Sequence, residues 1–265
     1  MKIFIVLLFM VSLSYSKVYY SKVDPYEIRE ISSNVSGVVL FADENLIGEK
    51  LSNKPYIIID SKLDEQELKF IKDKLIYLEN IIHSNENILK NQKETLIKKR
   101  TNYEKIKSLK IKSIVEKDRE FYDLINSENQ LLNTQKEIQN LKIQITDLKL
   151  REARLKRSVE DKRLRAKNFT LYALLVKPGQ VVNISTPLAK IADISKAVLT
   201  IYLDEDDVEN AKKKVVYIDG KKTSYKISRL VNIADFKNIS KYMAQIIIKQ
   251  PKLFSKLVKI ELKDD

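Results

Sequence analysis

Side chains able to do covalent or acid–base chemistry are scarce in this 265-residue chain. There is one histidine and no cysteine. A thiol nucleophile, a cysteine-based metal site and any disulfide are therefore excluded. His83 lies in a run of helical periodicity, off its apolar seams, and reads as a solvated residue. The densest acidic cluster is Asp204-Glu205-Asp206-Asp207. It lacks the alternating ligands and the glycine of the helix–loop–helix calcium motif. It suits instead the start of a short helix, where carboxylates oppose the positive dipole end. Neither a phosphate-cradling glycine loop nor a nucleophile elbow occurs. The sequence calls for no metal, cofactor or catalytic set.

The longest organised stretch runs from Leu63 to Ala166, without a proline or glycine. Leu68, Leu75, Ile82, Leu89, Leu96 and Tyr103 recur every seven residues. Ile71, Leu78 and Ile106 mark a companion seam, interrupted by Asn85, Gln92 and Lys99. Farther on, Leu124, Leu131, Ile138, Ile145 and Val159 repeat with the same period, broken by Glu152, with Leu141, Leu148 and Leu155 beside them. Apolar positions alternating at three and four over several heptads predict coiled coil. Arms of roughly 40 residues would be about 60 Å long.

Between the arms, from Lys107 to Lys117, the seam dissolves. Breaker residues are absent, so local chemistry alone leaves two readings: an antiparallel hairpin, or one continuous helix in a parallel dimer. The flanks favour the hairpin. Gly48-Glu49-Lys50-Leu51, then Pro55 and a strand ending at Asp60, match Gly179-Gln180-Val181-Val182, then Pro187 and a strand ending at Asp193. This weak internal repeat straddles the coiled coil. Two such halves can make a β-sandwich only if residues 60 and 167 lie close together. A continuous helix would hold them about 150 Å apart.

The remaining segments read as follows. Residues 1–16 carry Lys2, an apolar core and Ser14-Tyr15-Ser16, the pattern of a secretory signal segment, either removed or kept as an N-terminal anchor. Short strands are expected at Tyr26–Ile31, Gly37–Phe41 and Tyr56–Ile59. After Ala197 five more follow, at 198–203, 215–218, 225–231, 243–249 and 257–262, with Asp219-Gly220 as a hairpin turn. They suggest a small closed barrel. The expected glycine turns are Gly37, Gly48, Gly179 and Gly220. The fold class is α+β: a sandwich split by a long antiparallel coiled-coil hairpin, then a β-barrel. The divisions fall at 1–16, 17–62, 63–166, 167–195 and 196–265. The net charge of +13 comes mostly from lysines interleaved with glutamates, the pattern of solvated helix faces. No aromatic-plus-basic module points to nucleic acid.

This order of parts resembles the periplasmic adaptors, or membrane fusion proteins. The resemblance rests on Val35-Ser36-Gly37-Val38-Val39, Gly48-Glu49 and Ile58-Ile59-Asp60 in the first half. In the second it rests on Val176 to Val182, Pro187-Leu188, Ile191-Ala192-Asp193, Val198 and Asp204-Glu205-Asp206. It implies a lipoyl-like sandwich and a non-catalytic subunit bridging an inner-membrane transporter to an outer-membrane channel. That subunit would sit in the periplasm at the inner membrane, as a homo-oligomeric ring. Transporter contact is expected at the β domains and channel contact at the hairpin tip. The family's tip carries Arg, then Leu, then Ser; Lys105, Leu109 and Ser113 match these, with lysine for arginine and the serine early. Lipoyl and biotinyl carriers are similar in their sandwich, but the hairpin here replaces their modified lysine's turn. The rival reading is an exported structural coiled-coil protein of the envelope.

Overall fold

The computed structural model describes residues 17–234 and 240–264. The expected signal segment lies outside the described residues. Two long helices dominate: α1, Lys62–Ser108, and α2, Ile114–Asp161, of 47 and 48 residues. Each is therefore about 70 Å long, longer than the heptads alone implied. They pack on one another as an antiparallel hairpin within the chain, which removes the parallel-dimer alternative. Ile71, Leu75, Leu78 and Ile82 interlock with Ile138, Leu141 and Ile145, with Leu89, Leu148 and Leu155 packed alongside. Burying each of these aliphatics contributes about 1.5–3 kcal/mol over leaving it exposed. Farther out Leu124 and Leu131 are buried as well, and Ser127 joins them. The reversal is shorter than expected. It takes only residues 109–113, because both helices continue into the stretch where the seam fades.

The β structure consists of β1 (Val18–Ser32), β2 (Gly37–Ala42), β3 (Ile57–Ile59), β4 (Arg163–Leu164), β5 (Thr170–Leu174), β6 (Val181–Val182) and β7 (Pro187–Leu203). After the short helix α3 (Glu205–Val208) come β8 (Val215–Ile218), β9 (Lys221–Lys222), β10 (Arg229–Ala234), β11 (Tyr242–Lys249) and β12 (Leu257–Lys263). One sheet has the order β4-β3-β2-β6; the other has the order β10-β11-β7-β1-β12-β8-β9, with β5 also on β7. The short sheet and the β5-β7-β1 end of the long one enclose a core. Val39, Leu51, Tyr56, Ile57 and Ile59 come to it from before the hairpin, and Leu171, Val176, Val182, Leu188 and Ile191 from after it. Neither half could bury this core alone.

The internal repeat is expressed as paired hydrogen bonds. Gly48 N–H donates to Leu171 O and Gly179 N–H to Val39 O, both at 2.8 Å. In return Leu171 N–H reaches Glu49 O at 3.1 Å and Val39 N–H reaches Gln180 O at 2.9 Å. Both glycines have φ of +88°, a left-handed conformation that a side chain disfavours. Gly220, φ +78°, follows Asp219, φ +50°, in the β8–β9 hairpin, as the two positive angles of a type I′ turn require. Gly37 is a correction. It is no turn residue but opens β2, where an added Cβ would come 2.7 Å from Ile59 Cγ2.

The expected divisions at 17–62 and 196–265 also shift. β1 pairs with β12 through Val18–Lys22 and with β7 from Val23 onward. β7 in turn runs unbroken from the sandwich to β11. Two long strands thus belong to both β units, and Val23 packs in the core of the second, against Leu199, Ile201, Ile246 and Ile260. The second unit is not closed by a ladder: none joins β9 to β10 among the described residues. The crossing segment bridges the gap instead. Thr223 N–H bonds to Val216 O at 3.0 Å and Ser228 N–H to Gln245 O at 2.8 Å. The strand expected at 225–231 accordingly begins only at Arg229.

Candidate docking site at the hairpin tip

Helix α1 ends where Leu109 turns extended, its N–H donating to Ile106 O at 3.1 Å. The Ser108 hydroxyl donates to Lys105 O at 2.8 Å and closes the last turn. Helix α2 begins with a capping box. Glu116 N–H donates to Ser113 Oγ at 3.2 Å, and Ser113 N–H returns a bond to Glu116 Oε2 at 3.0 Å. Such a box satisfies two otherwise orphaned donors. Lys112 Nζ adds an ion pair to Glu116 at 3.0 Å. That pair, followed by the Ser113 backbone and hydroxyl, holds the Glu116 carboxyl below its usual range. Below the turn, Tyr103 and Phe121 meet at 5.6 Å, with Lys107 over the Tyr103 ring. Five residues thus make a defined turn fixed at both ends.

The three residues expected at this site are all here, in different roles. Lys105 is exposed and has no ion-pair partner among the described residues. Leu109 is exposed, at 42%. Ser113 is engaged in capping. The larger apolar surface belongs to residues the sequence reading did not single out as a surface: Ile111 is 90% exposed, and Ile114 and Val115 are each 77% exposed. Their signal was present. They are aliphatics outside the heptad register, in a stretch with Lys105, Lys107, Lys110 and Lys112 and no acidic residue from 105 to 115.

Elsewhere His83 is exposed on the outer face of α1, and the acidic groups at α3 are structurally occupied. Asp207, at the start of α3, accepts the Tyr19 hydroxyl at 2.6 Å and pairs with Lys17 at 3.0 Å and Lys214 at 3.6 Å. Burial works to raise its pKa, but the Tyr19 and Lys17 bonds outweigh this and lower it. Asp204 pairs with Lys17 and Lys241. The cluster ties β1 to α3. Among the described residues no group of three or more acidic or histidine side chains is arranged to hold a metal ion, and no helix is long and apolar enough to cross a membrane.

No protein-family model matches this sequence, and no curated protein does. Solved structures do. MacA from Actinobacillus actinomycetemcomitans superposes with a TM-score of 0.58 at 18% identity, over 93% of this chain and 78% of its own. The membrane fusion protein Spr0693 from Streptococcus pneumoniae R6 gives 0.58 at 12% identity, over 94% of this chain and 100% of its own. The chain has the fold of the membrane fusion proteins, the periplasmic adaptors. A MacA–MexA chimera carrying the Pseudomonas aeruginosa MexA α-hairpin domain also shares the adaptor fold, with a TM-score of 0.54 at 14% identity, covering 94% of this chain and 81% of the chimera. Within the adaptor fold the tip described above is the far end of the hairpin, opposite the β units.

Proposed function

We propose that this chain is a non-catalytic periplasmic adaptor of a tripartite efflux or secretion system. Its β units contact an inner-membrane transporter, and its hairpin tip contacts an outer-membrane channel. Several copies form a ring that seals the path between the two, held in the periplasm at the inner membrane. The sandwich is of the lipoyl type, built from both sides of the hairpin.

One observation carries this reading. The two ends of a roughly 100-residue helical excursion return to a single core, through the matched Gly48 and Gly179 bonds. A structural rod has no need to bring its ends together. A projecting arm on a folded base does, since the base must hold one partner while the tip reaches another. The shared fold with membrane fusion proteins supports the same role.

The reading is tested by tagging the chain in its native cell, cross-linking, and purifying it from the membrane fraction. An inner-membrane transporter and an outer-membrane channel should co-purify, and deleting the gene should abolish export of the cargo. A chain recovered from the cytosol with no membrane protein bound refutes it.

A further inference from the structure

The tip combines two features that together describe its counterpart. One is a group of exposed aliphatics in and just after the turn, the knob: Ile111, Ile114 and Val115, all more exposed than Leu109. Exposed apolar clusters of this kind, rimmed by polar groups, mark interaction sites. The other is a run of lysines. Lys105, Lys107, Lys110 and Lys112 all fall within residues 105–115, where no acidic residue occurs. Lys112 is held by Glu116, and Lys107 lies over Tyr103. Lys105 and Lys110 have no ion-pair partner among the described residues. Ile114 and Val115 sit on the first turn of α2, whose start the capping box fixes, and the Ser108 hydroxyl closes the end of α1.

Resting on the adaptor reading above, we infer that the knob of Ile111, Ile114 and Val115 seats in an apolar cleft of a partner protein whose rim carries carboxylates facing Lys105 and Lys110. Docking affinity is then set by the knob, and not by Leu109 and Ser113. The aliphatics supply affinity through desolvation at the centre of the contact. The unpaired lysines at its edge govern the rate and salt dependence of encounter. A protein cleft fits better than an anionic lipid surface. The exposed apolar area at the turn is three aliphatic side chains, and the nearest exposed aromatics, Phe121 and Tyr122, lie about two turns farther along α2, whereas interfacial insertion favours one broad apolar face with aromatic anchors.

The probes are outer-membrane vesicles from the native host and protein-free liposomes of the lipids extracted from them. The ligand is the intact adaptor, as parent, Ile111→Asp, Ile114→Asp, Leu109→Asp and a Lys105→Glu/Lys110→Glu double variant, with helicity checked by circular dichroism. Parent adaptor should bind the vesicles and not the liposomes. Ile111→Asp and Ile114→Asp should each weaken binding by about 30-fold or more, the usual scale for a central contact residue. The double lysine variant should slow association by about 10-fold and flatten its salt dependence. Equal binding to the liposomes makes the occupant a membrane and overturns the inference. If Leu109→Asp abolishes binding while Ile111→Asp and Ile114→Asp do not, tip docking stands but the knob assignment falls. If no tip variant matters, or the parent does not bind, the channel-docking reading fails and takes the inference with it.

Discussion

The clasp at the foot of the hairpin offers the sharpest test of how the arm is held to its base. Asp64, in the first turn of α1, accepts the Ser158 hydroxyl at 2.7 Å and pairs with Lys162 Nζ at 3.0 Å. The side chains of Lys162 and Asp64 are only 10% and 21% exposed, and Lys162 is where α2 gives way to β4. Removing one partner of a fully buried pair costs about 3–5 kcal/mol, whereas an exposed pair is worth about 0–1 kcal/mol. This pair lies between those limits, so Asp64→Ala should cost about 2 kcal/mol by leaving the Lys162 ammonium half-desolvated and unpaired. Lys162→Met should cost less, about 1 kcal/mol, since Asp64 keeps Ser158 and its share of water. Together they should cost clearly less than the sum, with a coupling of about 1 kcal/mol.

Burial acts to raise the Asp64 pKa, but the Ser158 and Lys162 bonds prevail and lower it. Its stabilisation is therefore fully present above the unfolded carboxylate value of about 4 and is lost as pH falls through the lower folded value. The assay is urea unfolding followed by helical ellipticity at pH 7 and again between pH 4 and 2, comparing midpoints at constant slope. Parent and Asp64→Ala should converge as the pH falls. Additivity of the two substitutions within about 0.3 kcal/mol would refute the clasp.

Three further outcomes follow from the geometry. Gly37→Val should destabilise the sandwich by about 1–3 kcal/mol, because its Cβ meets Ile59 Cγ2 at 2.7 Å and β2 must shift; thermal melting of the purified chain reads this out. Gln92→Leu should hold or raise stability, by up to about 1 kcal/mol, and slow amide exchange in the outer part of the hairpin. Gln92 Oε1 is buried beside Ser127 without a hydrogen-bond partner among the described residues, and replacing it removes an unsatisfied acceptor; a lower melting point would contradict this. Joining Ser61 to Lys162 by a short turn should leave a β-rich protein with one cooperative melt, since the core formed by both halves is complete without the hairpin; an unfolded product would count against the sandwich being self-sufficient.

Much of this architecture could be read locally. The seams were legible because a coiled coil writes its burial into a period of seven, and the residues that break it, Asn85, Gln92 and Lys99, are half-buried on the same line. Gly48, Gly179 and the Asp219-Gly220 pair were legible because positive φ selects glycine or a small polar residue whatever lies around it. The repeat they mark was enough to bring the hairpin ends together, and with them the proposed docking site to a tip. Only the tertiary structure revealed that β1 and β7 each serve two β units, because a strand's pairing partners are set by chain far away and leave no mark on its own alternation. Gly37 looked like a turn until Ile59 was found against it. The place of Ile111, Ile114 and Val115 likewise depended on where the helices stop. That is a balance between the Ser113–Glu116 cap and the last packed seam residues across the hairpin, which no single stretch of sequence carries alone.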